Sequence, residues 1–264
     1  MRGIVSALVV LLVAFNNCSL AATGQDHDAT SIMQRSYDAT NPRTEKAFYQ
    51  TTLIAADGAV EQERTFEVYY KKENGEEKTL QKFLTPPVLA GTGLLLIDKG
   101  QPDTDTWLYL PTTRRIRRIA GHDKSGRYMG TEFSYEDLEG YRIKFHHFTY
   151  VGEQKDDKGR DCYIIDSVAT APSVVDSTGY SKKRYWINLT TLYPVRIEYY
   201  AKDGKLEKQR DAFEIHKVGQ YWRAGREEMK NLLNGRMTKL KLDKDATDVP
   251  LDDRYVSRRY LRSE

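Results

Sequence analysis

Tyr193-Pro194-Val195-Arg196-Ile197-Glu198-Tyr199-Tyr200-Ala201, followed by Lys202-Asp203-Gly204 and then Lys205-Leu206-Glu207-Lys208, decides the fold. Tyr193, Val195, Ile197 and Tyr199 fall on one face of an extended chain, with Arg196 and Glu198 on the other. This period of two marks a half-buried strand. Asp203-Gly204 is a hairpin dipeptide, so the run Lys205–Lys217 returns beside it. A short connection makes antiparallel neighbours, because parallel pairs need long crossovers.

The pattern repeats outward in both directions. Asp57-Gly58 and Asn74-Gly75 flank Thr65–Tyr70, and Asp157-Lys158-Gly159 separates Tyr141–Val151 from Arg160–Ala169. Tyr141, Ile143 and Phe145 share a face opposite Arg142, Lys144 and His146, and Leu240 and Leu242 oppose Lys239 and Lys241. About eleven such segments follow one another without an internal repeat. Helical signals are few. Asp28 caps a predicted helix to about Ala39, which Asn41-Pro42 ends. Single turns are predicted at Pro86–Ala90 and Ser134–Asp137, and a last helix near residue 255 after Pro250. The expectation is a mainly β (α+β) chain: one antiparallel sheet with an apolar face, and short helices over it.

Composition agrees. The 264 residues are 39% apolar and 30% charged with a net charge of +3, which excludes a polytopic membrane protein and gives no reason for a nucleic-acid partner. Aromatic residues make up 11%, which argues against disorder; 18 of them are tyrosines, which favour strands and offer an apolar ring with a wet tip. Residues 1–21 stand apart: Arg2, an apolar run Ile4–Phe15, and Ser19-Leu20-Ala21 predict a cleaved signal peptide ending near Ala21 or Ala22. An uncleaved anchor and lipidation at Cys18 are the other readings. Once the leader is removed, Cys162 alone is left, so no disulfide can form within the chain.

Catalytic motifs are missing. There is no Gly-x-Ser-x-Gly, His-Glu-x-x-His or Cys-x-x-Cys. Gly121–Gly126 lacks the terminal order of a phosphate loop and reads as a surface loop. His146 and His147 are adjacent, so on a strand they point to opposite faces and cannot share one ion. The expectation is a protein that is not an enzyme and holds no cofactor or metal. The conspicuous charged feature is Arg114-Arg115-Ile116-Arg117-Arg118. Arg114, Arg115, Arg117 and Arg118 are candidates for contact with lipid headgroups or an acidic partner; pairing with acids such as Asp103 and Asp105 is the alternative.

Five stretches together carry a resemblance. They are Asp28–Ser36; Phe83-Leu84-Thr85-Pro86-Pro87 with Gly91–Leu96; Trp107–Pro111 with Arg114–Arg118; Met129–Leu138; and Tyr185-Trp186-Ile187-Asn188 with Tyr193–Arg196. Their order resembles the outer-membrane lipoprotein-sorting proteins of Gram-negative bacteria, in the branch related to the periplasmic lipoprotein carrier LolA, over about residues 28–264. The resemblance implies an unclosed, strongly curved antiparallel β-barrel of about eleven strands with short helices as a lid, in a single domain over residues 22–264. It implies a periplasmic monomer that holds lipid or an acylated lipoprotein in the hollow, touches a membrane surface transiently, and works beside an inner-membrane exporter of the resistance-nodulation-division type. The alternative is an accessory subunit of such an exporter without carrier activity. The arginine that locks the lid of the carrier has no position assigned by sequence. Wall residues are expected to be Phe66, Val68, Trp107, Tyr109, Ile143, Phe145, Val195 and Ile197. Lid residues are expected to be Val88, Leu89, Met129, Phe133, Tyr135 and Leu138.

Overall fold

The computed structural model describes residues 28–263. The expected leader, its cleavage site and Cys18 lie outside them. In chain order the elements are α1 (Ala29–Thr40), β1 (Thr44–Ile54), β2 (Val60–Glu73), β3 (Glu76–Thr85), β4 (Gly93–Asp98), β5 (Asp105–Leu110) and β6 (Arg115–Ile119). Then come β7 (His146–Lys155), β8 (Asp161–Ala169), α2 (Pro172–Ser177), β9 (Tyr180–Asn188), β10 (Pro194–Ala201), β11 (Leu206–Val218), β12 (Tyr221–Asn231), β13 (Met237–Thr247) and α3 (Arg258–Leu261).

All strands form one antiparallel sheet in the order β6-β5-β4-β3-β2-β1-β13-β12-β11-β10-β9-β8-β7. Two meanders, β1–β6 and β7–β13, are thus joined through the β1–β13 pair, which runs from Glu45↔Thr247 to Ile54↔Met237. The sheet is unclosed and curved, as expected. It has 13 strands rather than about eleven. Short strands such as β4 escape the period-two pattern because both faces are covered: Leu94, Leu95 and Leu96 are all buried.

Local chemistry explains the boundaries. Asn74 and Gly75 both take positive φ (52° and 81°), the mirror-image turn whose twist suits a two-residue hairpin. The Asp28 carboxylate accepts from the Thr30 N–H at 3.0 Å and caps α1. The Pro86–Ala90 stretch is a turn closed by the Leu89 N–H on the Pro86 carbonyl. Residues 141–145 are not strand. Gly140 and Arg142 are left-handed (φ 78° and 46°), Ile143–Phe145 make a 3₁₀ turn, and the strand starts at His146. The C-terminal helix signal is met by a 3₁₀ turn, Asp253–Val256, and by α3.

The two faces of the sheet are covered differently. On the inner face, Ile32 and Met33 of α1 join Phe133, Phe148, Ile165, Tyr185, Ile187, Ile197 and Tyr199 in one cluster. Phe66, Val68, Phe83, Leu94, Leu96, Leu108 and Ile119 form a second with Tyr128 and Tyr135, and Leu138 and Leu240 touch both clusters. On the outer face of β3–β6, Leu261 packs with Leu80, Leu95 and Tyr109. Arg258 lies over the Trp107 ring at 3.6 Å.

Candidate functional site

The chain must pass from one sheet edge, β6, to the other, β7, and does so through residues 120–145. This segment, called the strap below, lies over the inner face. Its middle folds back on itself: Arg127 bridges Ser134, and the Tyr128 N–H donates to the Phe133 carbonyl at 2.8 Å. Met129 and Gly130, with φ of 48° and 79°, make the tip. Among the described residues, no strand ladder joins the strap to the sheet. Side chains hold it, with one main-chain bond at its end, where the Thr170 N–H donates to the Phe145 carbonyl at 2.9 Å.

Some of them are aromatic. Phe66 meets Phe83 edge-on at 5.7 Å, Phe83 stacks on Tyr128 at 6.0 Å, and Tyr128 meets Tyr135 edge-on at 5.5 Å. Such offset and edge contacts suit the ring quadrupole. The space beneath 129–138 is therefore filled by the strap's own rings, with Phe133 and Tyr135 buried.

The others are charged. Lys208 of β11 reaches Asp137 at 2.9 Å and the Glu132 carbonyl at 3.2 Å. Lys183 of β9 reaches Glu136 at 2.7 Å, and the Thr178 hydroxyl donates to the same carboxylate at 3.0 Å. Arg236 pairs with Glu132 at 3.2 Å, and the Glu132 N–H donates to the Thr238 hydroxyl. Arg64 of β2 donates to the Met129 carbonyl at 2.7 Å. Within the strap, Lys124 pairs with Glu139 at 2.8 Å and reaches back to Asp103 at 2.7 Å. Burial alone would raise the Asp137 carboxyl. Lys208, Lys183 and the Ser134 N–H outweigh it and hold the group below the usual carboxylate range. At Glu139 burial prevails over Lys124 and Arg142, and the carboxyl lies above that range.

The expected wall residues part company. Phe66 and Val68 line the inner face, and so does Ile197. Val195 does not share its face: a bulge between Pro194 and Arg196 shifts the register, and Val195 packs with Cys162 and Ile164. Trp107 and Tyr109 face outward beneath α3, while Leu108 between them points inward. The alternation was right and its phase wrong, because α3 gives the outer face an apolar cover of its own. Ile143 packs on the inner cluster from a 3₁₀ turn, and Phe145 lines a cavity at the end of the strap. That cavity, about 260 Å³, opens between α1, the β2–β3 hairpin and residues 139–145, with Tyr37, Lys72, Glu77 and Arg142 in its walls.

Of the expected lid residues, Leu89, Met129, Phe133, Tyr135 and Leu138 pack on the inner clusters, and Val88 is 72% exposed. In the basic cluster, Arg118 pairs with Asp103 and Asp105 at 3.1 and 3.0 Å, and Arg117 lies 3.7 Å from Asp123. Arg114 and Arg115 are exposed, and among the described residues no ion pair holds either. Burial lowers the His146 imidazole below its usual value. Among the described residues, no group of three or more His, Cys, Asp or Glu side chains could hold a metal.

Sequence reasoning passed over the cations that fasten the strap. The signal was present: Arg64 is in phase with Phe66 and Val68, and Lys183 with Tyr185 and Ile187. A charge at an inward position of a strand needs a partner.

Comparison with known proteins adds to this geometry. A family model described as "uncharacterized protein"-like matches residues 75–263. An outer membrane lipoprotein-sorting protein domain from Vibrio parahaemolyticus is similar over 89% of this chain and 98% of its own, with 26% identity and a TM-score of 0.82. A DUF1329 family protein from Desulfovibrio piger is similar over 88% of this chain and 97% of its own, with 25% identity and a TM-score of 0.82. A LolA superfamily protein from Nitrosomonas europaea shares the fold at 19% identity, covering 88% of this chain and 98% of its own, with a TM-score of 0.69. No curated protein matches the chain.

Proposed function

Because the chain belongs to the outer-membrane lipoprotein-sorting, LolA-like family, we propose that it is a periplasmic, non-catalytic carrier that takes lipid or the acyl chains of lipoproteins between its sheet and its strap. The observation that carries this reading is the way the strap is held. It covers two apolar clusters, yet side chains rather than a strand ladder fasten it to the sheet. Lifting it leaves every strand pair intact and bares Phe66, Val68, Phe83, Leu108 and Ile197. An acyl chain entering there exchanges one apolar neighbour for another, and each buried methylene contributes about 0.8 kcal/mol. Arg64, on the Met129 carbonyl, serves as the lock of the lid.

The test is organic extraction of protein isolated from periplasm, followed by mass spectrometry, with uptake of a fluorescent fatty acid by the emptied protein. Co-extracted lipid and saturable uptake are expected. No lipid and no uptake would leave the accessory-subunit reading. That reading expects co-purification with an inner-membrane exporter, weakened by Arg115→Glu with Arg117→Glu.

A further inference from the structure

Nine large apolar side chains are exposed among the described residues, and five of them lie at one end of the sheet. Val60 (59%) follows the β1–β2 turn, Leu84 (40%) lies at the end of β3, Val88 (72%) belongs to the β3–β4 connection, and Leu232 (41%) and Leu233 (63%) belong to the β12–β13 turn. Antiparallel order puts these three turns at the same end of neighbouring strands β4-β3-β2-β1-β13-β12. Two of the turns touch: a Cβ built on Gly235 would lie 3.3 Å from that of Ala56, joining the β12–β13 and β1–β2 turns. On the other side the β5–β6 turn adjoins, with Pro111 3.3 Å from the Cβ position of Gly91.

That flank is basic. Arg114 and Arg115 lie at the β5–β6 turn, exposed and without an ion pair among the described residues. Arg262 is exposed too, and its neighbour Leu261 packs on Gly93 at the foot of β4. Of the acids at the same end, Glu61 pairs with Arg236 and Asp57 accepts from the Ala59 N–H at 3.0 Å, while the exposed Glu63 has no ion pair among the described residues.

We infer that this end of the sheet docks on an anionic lipid surface, with Val60, Val88 and Leu233 entering the interface and Arg114, Arg115 and Arg262 meeting headgroups. The aliphatic groups project from separate turns rather than lining one groove, which suits a fluid interface better than a folded partner. Free guanidinium groups next to them select for anionic headgroups. The inference does not rest on the carrier reading, because docking needs only the turns and carriage needs only the trough.

The experiment is co-sedimentation of protein isolated after export with phosphatidylcholine vesicles, with and without phosphatidylglycerol. Partition to the anionic vesicles is expected, falling as salt rises. Val88→Asp with Leu233→Asp, and separately Arg114→Glu with Arg115→Glu, should each weaken it at least about tenfold without lowering the melting temperature. Absence of partition, or partition indifferent to both pairs, overturns the inference. So does a wild-type dimer that the aspartate pair turns into a monomer, since the end would then be covered by a second copy. Fatty-acid uptake measured on the same variants separates the two readings. Uptake without docking sinks only the docking, and docking without uptake sinks only the carrier.

Discussion

Lys208 and Asp137 show what a single buried pair contributes. Both side chains are almost fully buried, at 6% and 0% exposure, and the carboxylate also accepts from Tyr180 and from the Ser134 N–H. Removing one partner strands a charge, which costs about 3–5 kcal/mol. Lys208→Met is therefore expected to lower the unfolding free energy by about that much in urea titration, and the double change with Asp137→Leu to recover most of it. Because the Asp137 carboxyl is held below its ordinary value, its contribution is full at neutral pH and fades as pH falls through the folded-state value. Glu45 behaves in the opposite sense. Burial pushes it up to about 7, against the pull of Arg223, which it shares with Asp245. The folded protein then binds more protons than the unfolded chain between the ordinary glutamate value and about 7, so stability falls as pH rises across that window. Glu45→Gln is expected to flatten this slope in thermal melts recorded from pH 4 to 8.

The strap is the element where sequence and structure diverge most. Its turn of 3₁₀ helix at Glu136–Leu138 follows from the Ser134 signal, but its end does not: the alternation puts a strand from Tyr141, and left-handed Gly140 and Arg142 delay it to His146. Neither does its path. A crossover 26 residues long, from Ala120 to Phe145, contributes no strand, so no periodicity announces where its side chains point. The wall suffered for related reasons. Phe66 and Val68 were legible because β2 alternates cleanly between buried and half-buried positions. Val195 was not, because a bulge adds a residue that period two cannot register. Trp107 and Tyr109 were not, because their partner, Leu261, lies more than 150 positions away in sequence. Arg64 ties the strap tip to β2 through one backbone carbonyl. Arg64→Leu should loosen the tip without exposing a carboxylate. Stopped-flow uptake of a fluorescent fatty acid is expected to speed up severalfold, with little change in melting temperature. An unchanged rate would show that the tip is not where entry is controlled.

At the scale of the molecule, family, fold and topology agree on one open sheet whose two meanders meet in its middle. The hairpin dipeptides made each meander readable from local sequence. The junction was not readable, since β1 and β13 are nearly the whole chain apart and neither carries a mark naming the other. That junction has a consequence for biosynthesis. The first meander has its contacts in hand as soon as β6 is made, and the second builds outward from β7, but β1 stays a bare edge until Met237–Thr247 exists. A bare edge invites pairing with another chain. Vulnerability to aggregation is thus greatest while twelve strands are complete and the thirteenth is still missing.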